Sequence, residues 1–247
     1  MENIKNRKLT HPCFPQPEGS DTKVWRYLDL PKFINLIMTK KLFLSRIDVL
    51  SDLYEGSLTR QNHVISQKEL ESLHRNGNKM GRPSNHKIRE SFYVNCWRID
   101  NVESEAMWKL YCPLNDGVAI QTSYDKLVNS LNDVDDVYIG LVNYLDYEIE
   151  SFPTGNVFYP IMHKRKAFEH EKEVRLVKAK TNFWSEEEFE NPDIGLTINW
   201  NPSITIEKIY VNPYASPWYF ETVSELVEKL DLNIKIEWSK LKSTPLY

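Results

Sequence analysis

Glycine is scarce in this 247-residue chain, at eight residues. A phosphate-cradling loop built from closely spaced glycines is therefore not expected. Cysteine is scarcer still. Cys13, Cys96 and Cys112 lie far apart, are odd in number and form no CxxC pair. The polar segment Met1–Thr10 lacks the apolar run of an export signal. Reduced thiols and a cytoplasmic setting are the expectation. No stretch reaches the roughly 18 apolar residues that span a bilayer, so no membrane partner is expected. HExxH is absent and the six histidines are scattered, so no metal site is expected. Charge is balanced, with 31 basic and 35 acidic residues and a net charge of −4. That excludes a global electrostatic pull toward nucleic acid but leaves a local basic patch open.

What the chain does have is aromatic mass: 7 Trp, 13 Tyr and 10 Phe. Its length allows a sizeable core. Pro12, Pro15 and Pro17 mark residues 1–22 as an extended arm, followed by one domain over 23–247. Val24–Leu28 reads as a strand, with Arg26 on an otherwise apolar face, where it must reach an edge or an anion. Pro31 opens a helix with Phe33, Leu36 and Ile37 inward and Lys40-Lys41 at its end. Leu42–Ser45 and Phe92–Trp97 read as strands. Arg46 through Gly56 is a turn-rich segment with acids near Arg46. Residues 60–90 suggest a helix near Ser66–His74, then a basic loop carrying Lys79, Arg82, His86, Lys87 and Arg89 between glycine and proline breakers. Ser104 is a helix N-cap followed by Met107, Trp108 and Tyr111. Val118–Thr122 is a strand and Tyr124–Leu131 a short helix. Val137–Tyr147, Leu196–Trp200, Ile204–Val211 and Ile234–Trp238 read as strands, and Ser216-Pro217 starts a helix striped by Val223, Leu226, Val227 and Leu230. About eight strands with three to five helices and no internal repeat indicate an α+β fold with mixed or antiparallel sheets and flanking helices.

The densest ionisable stretch runs from Lys164 to Val177. Its first residues, Lys164 to Phe168, read as helical. Its second half alternates charged and apolar residues, as a strand does. Glu171, Glu173 and Arg175 would then share a face, with neighbours about 7 Å apart. Two carboxylates and a guanidinium could converge on one ligand, or form a solvated strand face with cross-strand ion pairs.

The blocks Trp25-Arg26-Tyr27, Leu42–Arg46, Asp52–Gly56, Cys96-Trp97, Met107–Tyr111, Gly117–Ile120 and Lys164-Arg165 through Phe168, Glu171, Glu173 and Arg175 resemble, in that order, the bacterial family called domain of unknown function 2971. That family carries no assigned activity. Glu171-Lys172-Glu173-Val174 also resembles the Glu-x-Glu element of arginine–serine–glutamate type ADP-ribosyltransferases. That resemblance implies a split β-sandwich and NAD as substrate. Arg26 would grip the NAD phosphates, Glu173 would hold the ribose and stabilise the oxocarbenium-like transition state, and Glu171 would orient or activate the acceptor. The expected serine is missing: Asn95 and Cys96 occupy its strand, and only Ser91 lies beside it. The resemblance further implies a toxin or anti-phage defence effector with a protein, nucleic-acid or small-molecule acceptor.

The residue types suit that chemistry. A carboxylate stabilises positive charge developing on the ribose. A guanidinium such as Arg26 or Arg46 matches phosphate. Tyr27, Trp108 and Tyr111 could stack on nicotinamide or adenine, or simply pack in the core. Two other classes use the same residues. Asp52 and Glu55, a second acidic site, could join Glu171 and Glu173 around Mg²⁺ for phosphodiester cleavage, with Arg82, Lys87, Lys164, Arg165 and Lys166 on the nucleic-acid backbone. A non-enzymatic module could use the charged cleft to bind a nucleotide or a partner protein. Between the two acids, Glu173 ranks above Glu171 as catalytic, and Arg175 reads as structural.

Overall fold

The computed structural model describes residues 11–76, 84–131, 134, 136–180 and 191–246. The segment Met1–Thr10, the breakers at Gly77-Asn78 and Gly81–Pro83, and the basic Lys79 and Arg82 lie outside the described residues.

The fold is α+β. In chain order, β1 (Lys23–Asp29) runs into α1 (Leu30–Thr39), whose N-cap Asp29 accepts from the Lys32 amide and whose C-cap Lys40 is left-handed at φ 53°. β2 (Lys41–Arg46) follows, then a 3₁₀ turn (Ile47–Val49). The helix expected near Ser66 begins earlier: α2 spans Arg60–Arg75. The Thr59 hydroxyl accepts from the Asn62 amide at 3.2 Å, as an N-cap does. His86, Lys87 and Arg89, expected in a loop, sit on α3 (Asn85–Ser91), which Ser84 caps. β3 (Phe92–Ile99) and α4 (Glu105–Tyr111) come next, the latter with Ser104 as the expected cap. β4 (Gly117–Ser123) leads to α5 (Tyr124–Asn129).

The strand expected over Val137–Tyr147 is two strands, β5 (Val137–Leu141) and β6 (Asn143–Leu145). The chain changes partner at the break: the Val142 amide donates to the Glu173 carbonyl and the Asn143 amide to the Met162 carbonyl. The helix expected at Lys164 is instead β7 (His163–Arg165) and a 3₁₀ turn (Lys166–Glu171), before β8 (Glu173–Ala179). β9 (Gly195–Asn199) follows. Where one strand was expected from Ile204, proline-started α6 (Pro202–Thr205) precedes β10 (Lys208–Val211). The chain closes with α7 (Pro217–Lys229) and β11 (Lys235–Trp238).

These elements fall into two compact units. The first comprises the described residues of Met1–Gln16, Leu44–Asn95 and Asp136–Leu196, and the second those of Pro17–Phe43, Cys96–Asp135 and Thr197–Tyr247. In the second, β1 pairs along its whole length with antiparallel β4, from Lys23↔Ser123 to Asp29↔Gly117. β10 adds antiparallel to β4 and β11 adds parallel to β10. The buried cluster of Trp25, Tyr27, Met107, Trp108, Cys112, Ala119 and Tyr210 packs on this sheet. In the first, β5 and β8 pair antiparallel from Val137↔Lys178 to Leu141↔Val174, and β6 pairs parallel with β7. Within the stretch expected to be an arm, Phe14 is buried and stacks on Tyr138. Gly140 permits this approach, because a Cβ there would lie 2.7 Å from the Phe14 Cα.

Candidate functional site

The charged stretch does not present a solvated face. Strand alternation puts Glu173 and Arg175 on one face of β8, and that face is inward: Glu173 is 6 % exposed and Arg175 0 %. Glu171 reaches the same place by another route. It ends the 3₁₀ turn, and Lys172 takes a left-handed conformation at φ 44° between the turn and the strand. The chain thereby reverses and returns Glu171, 4 % exposed, beside Glu173. The parallel β6–β7 pair supplies Lys164, opposite Tyr144. Glu55 comes from the turn after Asp52, where its amide donates to the Asp52 carbonyl. Gly56 follows at φ 70°, a conformation that costs glycine little.

The five charged groups close on one another. The Lys164 ammonium lies 2.6 Å from Glu171, 2.7 Å from Glu173 and 3.1 Å from Glu55. Arg175 donates to Glu173 at 2.7 Å from one terminal nitrogen and at 3.1 Å from Nε. It also grips Glu55 at 3.1 and 3.3 Å and donates to the Ile161 carbonyl at 2.6 Å. The Tyr144 hydroxyl accepts from the Glu173 amide at 2.9 Å. All five side chains are buried. Side chains of Arg175 and Glu55 are 0 % and 1 % exposed, whereas those of Lys164, Glu171 and Glu173 are 8 %, 5 % and 6 %.

The two carboxylates titrate apart. Burial pushes the Glu171 pKa up to about 7, reinforced by its hydrogen bond to Glu173 and by the like charge there. Burial acts the same way on Glu173, but Arg175, Lys164 and the bond from Glu171 override it and hold this carboxyl well below its usual range. Lys164 is held charged against burial by Glu173 and Glu55. With Glu171 protonated, two cations face two anions and the buried cluster is neutral, which is why one proton stays.

The other candidates separate from this cluster. Asp52 is taken by Arg165, at 2.7 and 3.2 Å, and that guanidinium stacks 4.4 Å from the Tyr54 ring. Arg46 pairs with Asp48 at 2.7 and 3.1 Å and donates to the Asn191 carbonyl. Of the four acids considered for Mg²⁺, Glu55, Glu171 and Glu173 do converge, but on the Lys164 ammonium. Among the described residues no group of three His, Cys, Asp or Glu is arranged to hold a metal.

Arg26, Tyr27, Trp108 and Tyr111 belong to the second unit. The Tyr27 hydroxyl accepts from the Ser104 amide, and its ring meets Trp108 edge-on at 5.0 Å. Trp108 is fully buried and its Nε1 donates to Glu103, whereas Tyr111 on the same helix is exposed. Arg26 lies on β1 of that unit. Its guanidinium lies 5.9 Å from the Trp97 ring, one terminal nitrogen has no hydrogen-bond partner, and burial lowers its pKa to about 10. Sequence reasoning gave Lys164 only a backbone-contacting role and overlooked Tyr144. The sole local signal for Lys164 was its place at the head of the charged stretch.

The site therefore defines the protein, on its own residues, as an α+β protein with a buried, near-neutral carboxylate–ammonium–guanidinium cluster. No family model matches the chain, so the resemblance to domain of unknown function 2971 finds no support there. No curated protein matches either. Among solved structures, the chain is similar to Thermus sp. 2.9 DarT in complex with NAD+ and to the same protein in complex with ADP-ribosylated ssDNA. Each likeness has 10 % identity and a TM-score of 0.40, covering 93 % of this chain and 100 % and 99 % of the respective DarT chains. No helix among the described residues is long and apolar enough to cross a membrane.

Proposed function

We propose that the Glu171–Glu173 pair carries out ADP-ribosyltransferase-like chemistry on NAD. The supporting observation is the division of protonation states within one hydrogen-bonded pair: Glu173 stays ionised while Glu171 titrates near neutrality, at about 7. Environments that push two carboxylates apart assign an electrostatic role to one and a proton-handling role to the other.

Glu173 stabilises the positive charge that grows on the ribose as its bond to the nicotinamide nitrogen breaks and the electron pair leaves with nicotinamide. Glu171, once deprotonated, accepts the proton of the acceptor X–H as X bonds to the anomeric carbon. The products are nicotinamide, the ADP-ribosylated acceptor and one proton. Lys164 and Arg175 hold Glu173 in place and keep it charged. Consumption of NAD in this way would suit the toxin or defence setting that the Glu-x-Glu resemblance implies.

The test is nicotinamide release from NAD, with ADP-ribose followed onto water, protein or single-stranded nucleic acid. Glu173→Gln is expected to lower the rate by about 10²–10³-fold, the size of one lost electrostatic contact in a transition state. Glu171→Gln is expected to lower it by about 10²–10⁴-fold and to remove a rise in rate through pH 7. Wild-type protein that leaves NAD intact, or a folded Glu173→Gln variant with full activity, ends this reading.

One observation favours a second reading, a non-enzymatic binding module in which the cluster is a structural clamp. Both carboxylate oxygens of Glu173 are already engaged, one by Lys164 and the other by Arg175. Under that reading the glutamine variants change stability alone, and partner binding survives in them.

A further inference from the structure

Glu55 is the member of the buried cluster that the proposed chemistry leaves without a role. It reaches the cluster from a turn far along the chain, and neighbouring cations hold it there. On β7, Arg165 binds Asp52 at 2.7 Å and the adjacent Lys164 binds Glu55 at 3.1 Å, so each cation takes one acid of the same turn. The Glu55 amide closes the turn on the Asp52 carbonyl, and the Tyr54 amide donates to Asp52 Oδ1 at 3.1 Å. Arg175 completes the anchorage with two bonds to Glu55, at 3.1 and 3.3 Å.

Charge then decides the state of Glu171. The Lys164 ammonium is divided among Glu171, Glu173 and Glu55, and the Arg175 guanidinium bonds both Glu173 and Glu55. Three buried carboxylates therefore face two buried cations. A charge left uncompensated away from water is costly, and a carboxyl in that position takes a proton instead. Glu173 and Glu55 each meet both cations, whereas Glu171 is held by Lys164 and by its hydrogen bond to Glu173. The proton accordingly falls to Glu171.

The other groups around Glu171 leave this count unchanged. Asp52 is matched by Arg165, and Lys166, Glu169, His170 and Lys172 lie exposed on the same turn and its end. From β6, the Tyr144 phenol meets the Glu173 amide, and burial keeps it protonated. His163, next to Lys164, is kept neutral by burial, which lowers its pKa.

We propose that Glu55 is a positioning residue of this site: by holding a share of both buried cations it keeps the proton on Glu171, and so sets the pH at which Glu171 becomes a base. The step from proton to base rests on the NAD chemistry proposed above, whereas the titration of Glu171 does not.

The test is ¹³C NMR of the Glu171 carboxyl in the full chain, labelled at glutamate and assigned by the resonance lost in Glu171→Gln. Wild type is expected to titrate at about 7. Glu55→Gln removes one anion, so the midpoint is expected to fall by about 1–3 pH units. Glu55→Asp keeps the charge, and its midpoint is expected to fall by less than half as much. The rise of nicotinamide release with pH is expected to move down in step in Glu55→Gln. Wild-type protein that leaves NAD intact ends the chemistry, and the titration alone then decides the role of Glu55. An unchanged Glu171 midpoint in Glu55→Gln overturns the proposal. An equal fall in Glu55→Asp overturns it too, because packing and not charge is then the cause. So does a Glu55→Gln chain that circular dichroism finds unfolded at pH 7, since the count leaves its cluster neutral once Glu171 ionises.

Discussion

Replacing Glu171 with glutamine should make the protein's stability less sensitive to pH. In the folded state Glu171 keeps its proton up to about pH 7, against an ordinary value of 4.5. Its folded pKa is raised, so between those values the folded chain holds a proton that the unfolded chain has released. Stability from this group is complete below about pH 4.5, declines as pH rises, and is gone above about pH 7. The interval corresponds to roughly 3 kcal/mol. Glutamine is the neutral isostere: its carbonyl accepts from Lys164 and its amide donates to Glu173, as the protonated carboxyl does. Urea unfolding by circular dichroism at several values from pH 4.5 to 8 gives the free energy of each protein. The difference between them cancels the remaining titrating groups, including His163, whose pKa burial lowers. Wild type should lose roughly 3 kcal/mol more than Glu171→Gln over this range. Hydrogen exchange across Glu173–Ala179 should show the same difference locally. A difference flat to within about 0.5 kcal/mol, the scatter of an inert surface substitution, would refute the shared-proton account of the pair.

Other outcomes follow from the same structure. Arg175→Met leaves Glu55 and Glu173 without the guanidinium they share and should cost about 3–5 kcal/mol, measured by denaturant unfolding at pH 7. Gly140→Ala drives a Cβ against the Phe14 backbone, which no side-chain rotation relieves. It should cost about 1–3 kcal/mol and lower the melting temperature. Cys13 and Cys112 are buried with raised thiol pKa values, whereas Cys96 is partly exposed. Under native conditions a thiol reagent should therefore modify Cys96 first, with the other two reacting on unfolding, as peptide mass spectrometry would show.

Much of the candidate site was legible where its geometry is local. Glu173 and Arg175 share a face because alternation in a strand has a period of two, and that period is written directly into β8. The caps at Ser104 and the proline-started helices were equally readable, since each depends on the chemistry of a few adjacent residues. The readings that failed depended on partners far along the chain. Val137–Tyr147 reads as one strand, yet it is split because Val142 and Asn143 bond to Glu173 and Met162. Lys164 begins a plausible helix by composition, yet pairing with β6 makes it a strand.

The opposite nature of the charged stretch, a closed cluster instead of a solvated face, has the same origin. Sequence by itself determined the α+β class, the same-face spacing of Glu173 and Arg175 and the presence of enough carboxylates and cations for chemistry. Only the tertiary structure decided that left-handed Lys172 turns Glu171 back toward Glu173, and that Glu55 arrives from 120 residues away to meet Arg175. Burial then did what no local pattern encodes. It removed water from five charges at once, so that neutrality had to come from their mutual pairing and from one retained proton.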